Sequence, residues 1–103
     1  MTDIYLWLDD KRPAPEGWEH VTTVYEAIAL IKTGRVQKAS LDHDLGAGLK
    51  TGYDLCLWMA NNGKWPKEKP TVHSSNPVGR EAMQFVIDRW FGQPRAMIRT
   101  RDE

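Results

Sequence analysis

The chain has a single cysteine, Cys56, in 103 residues, so no internal disulfide can brace it and nothing asks for an oxidising compartment. Neither charge is in excess: 14 Lys and Arg balance 14 Asp and Glu, which excludes the global basic field of a general nucleic-acid binder but leaves room for a local basic patch. No run approaches the ~18 apolar residues of a membrane span, and no basic segment followed by a long apolar one opens the chain. A soluble, cytoplasmic protein without a membrane partner is expected. Repeats and low-complexity tracts are missing as well. Residues 1–103 are read as one domain, with a single core and little surplus.

What is present is a set of apolar runs that end abruptly in chemistry. Ile4-Tyr5-Leu6-Trp7-Leu8 runs into Asp9-Asp10-Lys11-Arg12, a strand over about 38–42 ends in Asp42-His43-Asp44-Leu45-Gly46, and Thr71-Val72 runs into His73-Ser74-Ser75-Asn76. Continuous apolar runs of this kind read as buried parallel strands. Between them lie helix signals. Thr23-Val24-Tyr25-Glu26 has capping-box spacing, Val24, Ala27, Ile28 and Ile31 form one stripe, and Gly34 follows as a stop. Thr51 and Asp54 repeat the capping pair before Leu55, Trp58 and Met59, with Gly63 as the expected C-terminal cap. Cys56 falls inside this pattern and reads as a small buried hydrophobe. Asn76-Pro77 opens a third helix carrying Met83, Val86, Ile87 and Trp90. A brief strand is expected over 19–22 and a last one over 95–99.

Alternating strands and helices predict an α/β fold: a flavodoxin-like, three-layer domain whose parallel sheet has about five strands in the order 2-1-3-4-5. The segment 11–18 carries two prolines and a glycine, so the first helix of such a fold is reduced, and the fifth is too. Ligands of these sheets bind outside the carboxyl ends of the strands, where strand order reverses, and that order brings the three acidic or polar ends together. Four carboxylates in one crevice repel each other unless a cation or shared protons compensate, and all-oxygen ligands favour Mg2+ or Mn2+. Ser74, Ser75 and the amides at the Asn76 helix start offer an anion-binding surface, with Lys11 and Arg12 as candidate phosphate contacts. Each element also has a plain reading, as solvated turn, loop cap, structural histidine or helix cap. Their joint placement at three strand ends points to a metal-bound phosphate.

The motifs Leu8-Asp9-Asp10-Lys11-Arg12-Pro13 with Gly17-Trp18, Asp42-His43-Asp44-Leu45-Gly46, Gly52-Tyr53-Asp54 and His73-Ser74-Ser75-Asn76-Pro77-Val78-Gly79 resemble a divergent receiver-like family, the cyclic-phosphate-processing receiver domain. The likeness covers nearly the whole chain. It implies a receiver-type fold and handling of cyclic phosphate ends in RNA repair. Receivers usually place a glycine eight residues after the phosphoacceptor aspartate, which fits Asp44 and Gly52. They also end a fifth strand in lysine, whereas Met97-Ile98-Arg99-Thr100-Arg101 has none, and Arg99 or Arg101 would supply a different charge.

The expected function is metal-dependent processing of a phosphoester, a cyclic phosphate on an RNA end or a nucleotide. Asp9, Asp10, Asp42 and Asp44 are the expected metal ligands, and Asp44, Asp42, His73 and His43 the catalytic candidates. Lys11, Arg12, Ser74, Ser75 and Asn76 are the expected phosphate contacts. Strand alternation carried through Asp44 would put Asp42 and Asp44 on one side and leave His73 the better proton carrier. The alternatives are a non-catalytic module for a phosphate ligand or protein, and a phosphoacceptor receiver. Trp18, Trp65 or another subunit, in a homodimer or otherwise, is expected to cover the sheet surface left by the reduced helices.

Overall fold

The first apolar run becomes β1 (Ile4–Leu8), and in the computed structural model, which describes residues 3–98, it lies inside a parallel sheet. β2 (Glu19–Val21), β3 (Val36–Leu41) and β4 (Thr71–Val72) complete the order β2-β1-β3-β4, so the first four strands take the expected places. In register, Leu6 faces Ala39 and Leu8 faces Leu41, and all four are buried. Three helices supply the other half of the core. α1 (Val24–Lys32) and α2 (Gly52–Asn62) each start in a complete capping box, built on Thr23 with Glu26 and on Thr51 with Asp54. α3 (Pro77–Trp90) starts at Asn76, whose side chain accepts from the Gly79 amide. Leu55, Cys56, Met59, Met83 and Ile87 are fully enclosed, and burial pushes the Cys56 thiol far up from its ordinary pKa. Among the described residues no helix is long and apolar enough to cross a membrane.

Two expectations about the architecture are corrected. The sheet has four strands among the described residues, because residues 95–98 do not pair with β4. Their backbone is bound elsewhere: the Ala96 amide donates to the Ala60 carbonyl at 2.9 Å, and Asn61 exchanges two 2.8 Å bonds with the amide and carbonyl of Ile98. A two-residue β4 offers too short a ladder to compete. Arg99 and Arg101 lie outside the described residues.

Among the described residues the domain also has two layers rather than three. From β2 to β3 and from β3 to β4 the chain steps the same way across the sheet, so right-handed crossovers set α1 and α2 on one face, with α3 packed on α2. The step from β1 to β2 runs the other way, and its helix-free connection crosses the second face. There Trp18 meets Tyr5 and Trp7 edge-on, with ring centroids 5.5 and 6.1 Å away. Trp65 instead packs edge-on against Phe91, beyond the end of α3.

Candidate functional site

The carboxyl ends of β1 and β3 open side by side because the strands are paired to their last residues, Leu8 against Leu41, and the Asp42 amide continues the ladder to the Leu8 carbonyl at 2.9 Å. Asp9 and Asp42 are thus the first residues past neighbouring strands. With Asp10 they form a cluster in which one ligand atom from each lies within 4.8 Å of the others. Asp9 is 1% exposed and Asp42 8%. These three acids border a cleft of about 440 Å³, whose other lining residues are Lys11, Arg12, Asp44, Leu45, Gly46, Ala47, Thr51 and Ser75.

Each carboxylate has its own support. Asp9 Oδ1 accepts from the amides of Lys11 and Arg12 at 2.8 and 2.9 Å, and Oδ2 lies 3.0 Å from His73 Nε2. Burial works against its ionisation, but the Arg12 and Lys11 amides and the His73 ring outweigh it and hold its pKa below the ordinary aspartate value. Asp42 Oδ1 accepts from the His43 amide at 2.8 Å. Asp44 stands apart from the cluster, its side chain 65% exposed, with Oδ1 2.8 Å from His43 Nδ1 and Oδ2 accepting from the Asn76 side-chain Nδ2 at 3.3 Å. The His43 ring first, then the Asn76 amide, hold its carboxyl below the ordinary range.

β3 ends at Leu41, so the alternation imagined through Asp44 does not apply. His43 turns under α3, and its Nδ1 is used by Asp44. Gly52 has its close approach to the carbonyl of Asp42, which a Cβ would overlap, rather than to Asp44. Of the expected phosphate contacts, Lys11, Arg12 and Ser75 line the cleft. Ser74 is buried and accepts from the Asn76 amide at 3.1 Å, while Asn76 caps α3 and steadies Asp44. Neither His43 nor His73 is among the cleft-lining residues.

Sequence reasoning passed over Ser40, whose hydroxyl lies 2.7 Å from His73 Nδ1, and His20, whose Nε2 lies 2.7 Å from the Asp9 carbonyl oxygen. The available signal for Ser40 was a small hydroxyl residue near the end of β3, two positions before Asp42. The lining by Leu45, Gly46, Ala47 and Thr51 had no signal beyond the loop itself.

Carboxylates outnumber Lys and Arg by four to two in the cleft lining, so a bare phosphate is repelled unless a cation joins it. An acidic pair ending β1, an aspartate ending β3 and a hydroxyl beyond β4 form a receiver-type arrangement at a strand-order reversal. No individual curated protein matches the chain. A family comparison does, over residues 4–89, and with the fold and strand-end acids it shows that this chain belongs to the cyclic-phosphate processing receiver domain family.

Proposed function

We propose that the cleft binds a phosphoester through a divalent cation and processes it, the substrate being a cyclic phosphate on an RNA end or nucleotide. The observation that carries this reading is the convergence of Asp9, Asp10 and Asp42, two of them almost fully buried, in one small space. Three clustered carboxylates are a hard, all-oxygen donor set, which fits Mg2+ or Mn2+ and not a thiolate- or imidazole-seeking metal. Such a cation supplies charge that offsets the acids and polarises a phosphoryl oxygen.

The chain's own groups do the rest. Lys11 and Arg12 line the cleft, where their charges can meet phosphate oxygens, and Ser75 adds a hydroxyl to the same lining. Asp44, which lines the cleft outside the cluster, is the carboxylate placed to take a proton from attacking water. One observation favours a non-catalytic binding module: neither imidazole near the site lines the cleft, and each is occupied by one of its carboxylates, His43 by Asp44 and His73 by Asp9.

Turnover decides between them. Incubated with 2',3'-cyclic nucleotides or cyclic-phosphate-ended RNA and Mn2+ or Mg2+, the wild type is expected to open the ring. Asp42→Asn and Asp44→Ala should each lose at least about 100-fold, the usual range for charge-stabilising and proton-transfer groups. No product, together with metal-dependent protection by the nucleotide against thermal unfolding, would establish the binding reading instead. Acid-labile label from acetyl phosphate, lost on replacing Asp42 or Asp44, would mark a phosphoacceptor.

A further inference from the structure

Asp9 is the most enclosed acid of the cleft, and a closed ring of contacts behind it does the enclosing. Its Oδ2 lies 3.0 Å from His73 Nε2, and His73 Nδ1 lies 2.7 Å from Ser40 Oγ. The imidazole stacks flat on Trp7, with centroids 4.0 Å apart and planes 5° from parallel. Trp7 is held in turn by its indole N–H, which donates to the Arg12 carbonyl at 3.0 Å. Arg12 returns to the start, donating from Nη1 to the His73 carbonyl at 2.7 Å. Ser40 sits on rigid backbone, in register with Trp7 of β1 and Thr71 of β4.

Hydrogen-bond chemistry assigns the protons. An ionised carboxylate only accepts, so His73 Nε2 carries the hydrogen; in the neutral ring Nδ1 then accepts from the Ser40 hydroxyl. A ring engaged at both nitrogens and on one face is poorly placed to ferry protons to a ligand. It is well placed to hold a carboxylate still.

We propose that His73 is a positioning residue: oriented by Ser40 and Trp7, it fixes the Asp9 carboxylate so that the remaining lone pair of Oδ2 is free for a divalent cation in the cleft. This rests on the metal reading above. Hydrogen bonds behind a metal ligand commonly contribute 10- to 100-fold in affinity, about the size of effect expected here.

The experiment measures Mn2+ affinity directly, by electron paramagnetic resonance or calorimetry, and reads the imidazole by nitrogen-15 NMR in metal-free protein. His73→Ala should weaken Mn2+ binding at least about tenfold. His73→Gln, whose amide can donate from the Nε2 position, should recover most of that loss. Wild-type protein should show one tautomer, protonated at Nε2, and Asp9→Ala, which removes the acceptor at Nε2, should let the Nδ1–H form appear. Should His73→Ala fail to fold, Ser40→Ala, which removes one oxygen, should still bind Mn2+ more weakly than wild type. Wild-type Mn2+ affinity in His73→Ala, or a His73→Gln as weak as His73→Ala, would overturn this inference alone. A wild type that binds no Mn2+ would sink the metal reading and this inference with it.

Discussion

Gly79 shows how closely the residues around the cleft are fitted. A Cβ at this position would fall 2.5 Å from carbons of the His43 ring, which lies between the β3–α2 loop and the first turn of α3. His43 cannot yield freely, since its amide is bound to Asp42 and its Nδ1 to Asp44. In Gly79→Ala the better helix propensity returns about 1 kcal/mol, while overpacking costs roughly 1–3 kcal/mol. A net loss of about 1 kcal/mol is therefore expected in urea unfolding, with displaced NMR signals for His43 and Asp44. An alanine variant as stable as wild type and spectrally unchanged would show that the ring moves aside at no cost. Gly52 makes the same point at the other end of this loop, where its bare Cα lies against the Asp42 carbonyl.

Among the elements, α1 is the one whose start is most fully specified by local chemistry. Glu26 Oε1 accepts from the Thr22 and Thr23 amides, each at 3.2 Å, and from both threonine hydroxyls, at 3.2 and 3.0 Å. The Thr22 amide first, then the Thr23 hydroxyl, hold the Glu26 pKa below its ordinary value. A carboxylate with a depressed folded-state pKa stabilises fully above the unfolded value and loses that contribution as pH falls through the folded one. The stability gap between wild type and Glu26→Gln should accordingly be constant near neutrality and close below about pH 4, followed by urea titrations at several pH values. A gap independent of pH would show that the charge plays no part. The segment 95–98 is the opposite case, with a strand-like composition that its neighbours overrule. Asn61 at the end of α2 takes both polar groups of the Ile98 backbone, and a two-residue β4 cannot bid for them.

For the molecule as a whole, the decisive feature is a sheet that, among the described residues, carries helices on one face only. The second face relies on Trp18, carried in on a proline-bearing connection, to cover Tyr5 and Trp7. Even so, Tyr5 stays 37% exposed, with the Lys38 ammonium 5.4 Å above its ring. Trp18→Ala should therefore destabilise the domain by about 2 kcal/mol, less than the 3–5 kcal/mol typical of a fully buried tryptophan because this one is only half-buried. The uncovered aromatic face should also promote self-association, visible by sedimentation at increasing concentration. A variant with wild-type stability and no added association would mean that this face needs no cover.

Local patterns determined most of the skeleton. Apolar runs closed by acids, capping boxes at Thr23 and Thr51 and the Asn76-Pro77 start each depend on neighbours within a few residues, so they were legible in order. The meeting of the strand ends followed from topology rules applied to those elements. Tertiary structure alone decided which groups face the cleft. Asp42 rather than Asp44 joins Asp9 and Asp10 because β3 stops at Leu41, and the chain turns there to pack His43 beneath α3. His73 stays outside the cleft lining, its two nitrogens claimed by Ser40 and Asp9, 33 and 64 residues distant in sequence. Such choices are competitions between partners brought together only by folding, and no short window of sequence contains both competitors.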